Sequence, residues 1–133
     1  MKICVTGTAN SLDAQIDPRF GRCSYLVIVD SETMQFEAIP NMAAGATGGA
    51  GIQAAQTIAK KDVKLLITGN VGPNAFGALS AAGIEIVTGA FGTVREAVEK
   101  FKRGEFTKTG APTVDGHFGM GGKGGGQGRG GVR

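Results

Sequence analysis

The sequence predicts an α/β protein built on one mixed five-stranded sheet, in the strand order 3-2-1-4-5, flanked by about three helices. A chain of 133 residues with 41% hydrophobic content is long enough for one domain with a core and too short for two ordinary domains. Strand-like runs come first, and strands then alternate with helical patterns. Strand-helix-strand units favour right-handed parallel crossovers, so strands 1, 4 and 5 are predicted to be parallel. Strands 1 to 3, which no helix separates, are predicted to be antiparallel.

Apolar runs near the N-terminus predict the first three strands. Residues Lys2–Thr6 are rich in β-branched side chains and end at a glycine. Residues 25–30 form a near-continuous apolar run, which is typical of a strand covered on both faces. A short turn at 31–34 leads into residues 35–40, and a turn of that length joins antiparallel neighbours. Strands 2 and 3 are therefore predicted to form a hairpin.

Start and stop signals define the elements of the second half. Pro73 suits the first position of helix 2, and Gly83 follows its apolar face as a stop. The Thr93-Val94-Arg95-Glu96 stretch has the spacing of a capping box at the start of helix 3, which ends near Gly104. The remaining predicted ranges are 52–61 for helix 1, 63–68 for strand 4 and 84–88 for strand 5.

The glycine-rich C-terminal part is predicted to be a tail. From Gly110 onward 11 of 24 residues are glycine, and such a segment cannot offset its ordering entropy by burial. We therefore expect a folded domain at 1–108 and a flexible basic tail at 109–133. The net charge of +3 equals the three cations after residue 116, so residues 1–116 are neutral overall. Nucleic acid is not expected to bind the domain, and the tail is the candidate segment for such a contact.

Cysteine usage and the absence of long apolar segments indicate the compartment. Two cysteines, Cys4 and Cys23, are too few for a secreted disulfide scaffold, so free thiols in a reducing cytoplasm are expected. The N-terminus has no apolar signal region, and no segment approaches the roughly 18 apolar residues of a membrane span. We expect a soluble cytoplasmic protein with no membrane partner, as a monomer or weak homodimer.

Strand polarity places several loops at one edge of the predicted sheet. The three parallel strands all end there with a Thr-Gly pair: Thr6-Gly7, Thr68-Gly69 and Thr88-Gly89. The connection 7–22 and the glycine-rich loop 45–51 ahead of helix 1 reach the same edge. Open α/β sheets bind ligands at this edge, and helix N-termini favour anions. Alternatively, the Thr-Gly pairs end strands, and the glycine loop is a turn that permits close packing.

The loop Asp17-Pro18-Arg19-Phe20-Gly21-Arg22-Cys23 has an unusually high density of side chains that can bind a ligand. Its Arg19 and Arg22 are candidate clamps for an anion. The alternative is that the two arginines form structural ion pairs with Asp17 or Asp13.

Two residues are candidate metal ligands. Cys23 could donate a thiolate, and Arg19 and Arg22 would lower the pKa of its thiol. The alternative is a half-buried apolar cysteine. His117 in the tail, together with Met120, could donate borderline or soft ligands, and the alternative there is a disordered basic tail.

Three ordered motifs, at 17–22, 48–55 and 67–76, resemble those of the dinitrogenase iron-molybdenum cofactor biosynthesis family, which includes NifX proteins, NafY and the C-terminal part of NifB. The similarity covers about residues 1–105. It implies a ribonuclease-H-like fold and a non-enzymatic role in binding or carrying an iron-sulfur or iron-molybdenum-type cluster or its precursor. Its implied partners are the proteins that donate or accept the cluster.

The resemblance and the predicted edge together give a set of candidate binding residues. The set is Arg19, Phe20, Gly21, Arg22, Cys23, Gly48, Gly49, Gly51, Gly69, Asn70 and Gly72. The sequence departs from some cofactor-binding relatives, which are associated with a histidine ligand in the domain, because its single histidine is His117.

Two alternative functions can be weighed against the residues of the chain. The first is a nuclease with a ribonuclease-H-like fold, which would need clustered carboxylates around two metal ions, whereas Asp30, Glu37 and Glu85 are scattered over three strands. The second is an interaction module whose basic glycine-rich tail contacts nucleic acid or a protein partner.

Overall fold

The computed structural model describes residues 1–46 and 48–114. The elements are β1 Lys2–Gly7, β2 Tyr25–Asp30, β3 Phe36–Pro40, α1 Ala50–Ala59, β4 Leu65–Ile67, α2 Pro73–Ala81, β5 Glu85–Val87 and α3 Val94–Lys102. All eight predicted elements are present. Helix α1 begins two residues earlier than predicted, directly after Gly49, whose φ of 74° is left-handed. None of the helices in the described part is both long and apolar enough to cross a membrane.

The sheet has the predicted order and strand directions. Its order is β3-β2-β1-β4-β5. Strand β1 pairs antiparallel with β2, and β2 pairs antiparallel with β3. Strand β4 runs parallel to both β1 and β5. The carboxyl ends of β1, β4 and β5 therefore share one edge, which we call the upper edge.

Both faces of the sheet are covered. Cys4 and Leu66 lie on the face that packs against α1 and α2, whereas Ile3 and Leu65 lie on the face that packs against α3. Strand β2 contributes alternate buried side chains to both layers, as its continuous apolar run predicts.

Helix α3 begins at the predicted capping box. Thr93 Oγ1 accepts from the Glu96 backbone N–H at 3.1 Å, and Glu96 Oε1 accepts from the Thr93 N–H at 2.9 Å. Thr93→Ala is expected to lower the free energy of unfolding by about 1 kcal/mol, because the helix loses its side-chain cap. Urea denaturation measures this change. Ser80→Ala, on the exposed side of α2, is the control and should cause no loss.

The chain after α3 returns along the sheet. The Thr109 N–H donates to the Ile86 carbonyl at 2.6 Å, and its hydroxyl is 2.7 Å from that of Thr88. Thr113 bonds to the backbone of Val71. The boundary predicted at residue 108 places these contacts in the tail, so residues 109 and 113 are tied to the domain rather than free of it. Residues 115–133 lie outside the described residues.

Candidate functional site

A cavity of about 100 Å³ lies at the upper edge, between the loop 17–23 and the N-termini of α1 and α2. Nine of the eleven predicted binding residues line it: Arg19, Phe20, Gly21, Arg22, Gly48, Gly49, Gly51, Asn70 and Gly72. The structure thus brings most of the predicted set together in one place. Their role in binding stays a prediction.

The cavity also contains residues that the sequence prediction missed. Asn74 and Ala75 belong to the first turn of α2. Strand polarity placed the N-terminus of α1 at the upper edge, and the same reasoning applied to α2 would have predicted these two residues. Val114 also lines the cavity. Nothing in the sequence signals Val114, because its position depends on the return of the chain after α3.

Close backbone contacts bring the two helix N-termini together. A Cβ at Gly51 would lie 2.7 Å from the Ala75 Cβ, and one at Gly21 would lie 2.8 Å from the Gly51 nitrogen. No described side chain caps either helix. The first-turn N–H groups of α1 and α2 are therefore available to a ligand, and both helix dipoles favour an anion.

Arg19 pairs with Asp17 and still lines the cavity. The buried Asp17 carboxylate accepts from the Arg19 backbone N–H at 3.1 Å, from Nε at 3.3 Å and from Nη2 at 3.4 Å. The Arg19 side chain nevertheless keeps 42% of its surface exposed. The second predicted partner, Asp13, pairs with Arg95 instead. Arg19 thus has both predicted properties, a structural ion pair and a place in the cavity.

Arg22 bonds to backbone carbonyls. Its Nη1 donates to the Ala44 carbonyl at 2.8 Å and also to the Ala46 carbonyl. No carboxylate among the described residues pairs with Arg22, so the structure shows no negative side chain that offsets its charge there. The predicted pairing of Arg22 with Asp17 or Asp13 is not observed.

Buried threonines and a glycine hold the loop 17–23 against the strand ends. Thr6 Oγ1 donates to the Asp17 carbonyl at 2.6 Å and lies 2.8 Å from Thr68 Oγ1. A Cβ at Gly69 would lie 2.7 Å from the Pro18 Cα and Cβ atoms. Gly69 does not line the cavity, and its small size permits the loop to pass over β4. Thr6, Thr68 and Gly69, at the ends of β1 and β4, therefore hold the loop 17–23 in place beside the cavity.

Cys23 does not line the cavity. Its side chain is fully buried, and Asn41 Nδ2 donates to its carbonyl at 3.0 Å. Burial, followed by the negative charge of Asp17, raises the pKa of Cys23 to about 12. Arg19 does lower this pKa, as predicted, but its effect is the smallest of those that act on the thiol, so desolvation dominates and the net shift is upward. The thiol is neutral at pH 7 and poorly suited to ligate metal in this conformation.

The two cysteines are expected to resist thiol reagents in the folded protein. Both are fully buried, and burial raises the pKa of Cys4 well above its ordinary value. At pH 8 the thiolate fractions are very small and neither sulfur is accessible, so a disulfide reagent such as DTNB should release almost no thionitrobenzoate. In urea both thiols should react. Rapid reaction of one thiol in the native protein would contradict the burial of Cys4 or Cys23.

Comparison with known proteins identifies the family. The family model described as dinitrogenase iron-molybdenum cofactor matches residues 1–104. The chain belongs to this family. The resemblance of the three sequence motifs is therefore confirmed.

Several relatives share sequence or structure with the chain. The apo form of the orange protein from Desulfovibrio gigas is 44% identical, with a TM-score of 0.82 and coverage of 84% of this chain and 95% of that one. A candidate NifB protein from Thermotoga is 34% identical, with a TM-score of 0.71 and coverage of 80% and 91%. An uncharacterized protein of Methanocaldococcus jannaschii is 30% identical over 97 residues, which cover 71% of this chain and 82% of that protein.

Within this member of the dinitrogenase cofactor family, the described residues contain no group of three or more histidine, cysteine or acidic side chains that could hold a metal ion. Glu37 pairs with Lys61 beside the β3 edge, and Glu85 pairs with Lys108 beside the β5 edge. Among the described residues, the carboxylates are thus not gathered in the way that a two-metal nuclease needs. The second candidate ligand, His117, lies outside the described residues.

Proposed function

We propose that this protein binds an anionic iron-sulfur or iron-molybdenum-type cluster, or a precursor, and carries it between donor and acceptor proteins without catalysing a reaction. One observation supports this most: two arginines and two uncapped helix N-termini line a single cavity. The family membership gives the class of cargo.

The charges around the cavity favour an anion over a metal cation. Each helix N-terminus contributes a partial positive charge of roughly half an elementary unit. Asp17 offsets part of the Arg19 charge, whereas no described carboxylate pairs with Arg22. Guanidinium and backbone N–H groups donate hydrogen bonds to negatively charged edges, such as the sulfide edges of a cluster. The lining residues therefore fit a cluster that carries net negative charge.

The small size of the cavity is consistent with a carrier function. A volume of about 100 Å³ is small beside the roughly 300–1,000 Å³ of typical small-molecule pockets. A cluster would therefore be only partly enclosed and would keep one side open to a partner protein. The lining residues in the described part include no histidine, cysteine or carboxylate that could serve as a general base or nucleophile.

Anaerobic reconstitution tests the proposal. The full chain would be incubated with ferrous iron, sulfide and molybdate, separated by gel filtration, and assayed for bound iron, sulfide and molybdenum and for visible absorbance. We expect a coloured, metal-bearing protein. Cys23→Ala should load equally, because the buried thiol lies outside the cavity. An unchanged spectrum with no bound metal would count against the carrier function.

A further inference from the structure

The segment 109–114, which we call the C-terminal strap, forms part of one side of the cavity. Its last residue, Val114, lines the cavity together with Asn70 and Gly72. The family model matches residues 1–104, so the strap lies beyond the matched part of the chain. The family resemblance therefore assigns no role to it.

Thr113 attaches the strap to a buried residue. The Thr113 N–H donates to the Val71 carbonyl at 2.8 Å, and the Val71 N–H donates to Thr113 Oγ1 at 2.9 Å. The Val114 N–H reaches the same carbonyl at 3.4 Å. Val71 is almost completely buried, and buried backbone groups need hydrogen-bond partners. The strap thus supplies the partners of both backbone polar groups of Val71.

The connection that holds the strap also holds the loop that carries Arg19. The Asn70 N–H donates to the Pro18 carbonyl at 2.8 Å, and the Asn70 carbonyl accepts from the Phe20 N–H at 3.4 Å. Residues 18–20, 70–71 and 113–114 therefore lie side by side, with 70–71 in the middle. Through this connection, Thr113 supports the wall that presents Arg19 to the cavity.

Hydrogen bonds, rather than apolar packing, hold the strap in place. Residues 110–113 are exposed, Thr109 and Val114 are half-buried, and none of the six residues belongs to either apolar layer of the core. A second attachment joins Thr109 to Ile86 and Thr88 of the β5 end. A segment held in this way can open locally while the core stays folded, because opening exposes little apolar surface.

We propose that the C-terminal strap is a detachable side wall of the cavity: it retains the bound anion, and its release from Val71 lets the anion leave while the domain stays folded. This inference rests on the proposed function. Thr113 is a positioning residue in this arrangement. Since Val114 lines the cavity, binding of the anion and attachment of the strap stabilise each other by the same factor.

Hydrogen exchange measures the attachment without any ligand. In the full-length protein, the Val71 and Thr113 amides should exchange through a local opening that dilute urea hardly affects, whereas the amides of β4 should require larger, urea-sensitive openings. Thr113→Val removes the hydroxyl that accepts from the Val71 N–H and should speed exchange at Val71 about tenfold, as expected for one hydrogen bond to a buried group. Thr113→Ser keeps a hydroxyl and should restore the slower exchange.

Release of bound metal measures retention. The probe is the cluster assembled on full-length chains from ferrous iron and sulfide under argon, and a ferrous chelator then takes up the iron that leaves. Thr113→Val should release iron about tenfold faster than the unmodified chain, and Thr113→Ser should release it at nearly the unmodified rate. Loading the cluster should also slow exchange at the Val71 amide.

Thr93→Ala is the control for general destabilisation. It removes the cap of α3, outside the cavity lining, and should leave iron release unchanged although it lowers the free energy of unfolding. Faster release from this variant, equal to that of Thr113→Val, would overturn the inference, because loss of stability rather than loss of the attachment would then release the cluster.

The remaining outcomes distinguish this inference from the proposed function. Exchange at Val71 with the same rate and urea dependence as in β4 would overturn the detachable strap, whether or not any cluster binds. Equal iron release from the unmodified and Thr113→Val chains, with faster Val71 exchange in the variant, would overturn retention by the strap and leave the carrier function standing. Failure of every chain to bind iron and sulfide would overturn both.

Discussion

Replacing Arg19 and Arg22 together by glutamine is expected to lower the affinity for an anionic cluster by about 100-fold or more. Hydrogen bonds to charged groups each contribute roughly 1.5–3 kcal/mol, and both guanidinium groups lie in the cavity lining. The two helix N-termini would remain, so weak binding should persist. Anaerobic titration of the protein with preformed cluster, followed by visible absorbance, measures the loss.

Charge and fold need separate controls in that experiment. Lys60→Gln/Lys64→Gln removes the same net charge near the end of α1 and the start of β4, away from the upper edge, and should bind normally. Adding Asp17→Asn to the arginine variant removes the buried carboxylate that would otherwise lose its partner. An equal loss of binding in the lysine variant would mean that net charge, and not the cavity, controls affinity.

Gly69→Ala is expected to destabilise the protein by about 1–3 kcal/mol. The new methyl group would lie 2.7 Å from the Pro18 Cα and Cβ atoms and 3.0 Å from its carbonyl oxygen. These are mostly backbone atoms, so relief of the clash requires the loop 17–23 to move away from β4, and overpacking of this kind costs about 1–3 kcal/mol or more. Urea denaturation measures the change, and cluster loading should fall with it because the loop carries both arginines.

Gly77→Ala is the matched control for this substitution. Gly77 is exposed in the middle of α2, and a Cβ there would meet no atom within 4 Å. Alanine is the better helix former by about 1 kcal/mol, so this variant should be more stable than the parent. Similar unfolding midpoints for the Gly69→Ala and Gly77→Ala proteins would show that the contact with Pro18 does not restrict the loop.

The sequence predicted the fold because its signals are local. A capping box at Thr93, a proline at the first position of α2 and a continuous apolar run at β2 each act within a few residues. Strand order then follows from the handedness of crossovers, which depends on the succession of elements. The start of α1 was less predictable, because the left-handed turn at Gly49 could have been placed at any of several neighbouring glycines.

Strand polarity also predicted which loops meet. The carboxyl ends of parallel strands share an edge whatever the side chains are, so Arg19, Gly51 and Asn70 could be assigned to one place from the order of the elements. Nine of the eleven predicted residues line the cavity for this reason.

The sequence by itself determined the fold class, the strand order and the edge at which the candidate site lies. Only the tertiary structure decided that Arg19 pairs with Asp17, that Cys23 is buried with a raised pKa, and that Val114 borders the cavity. The difference has one physical cause. Secondary structure and polarity depend on neighbours in the chain, whereas desolvation and ion pairing depend on atoms that distant segments bring to the same place.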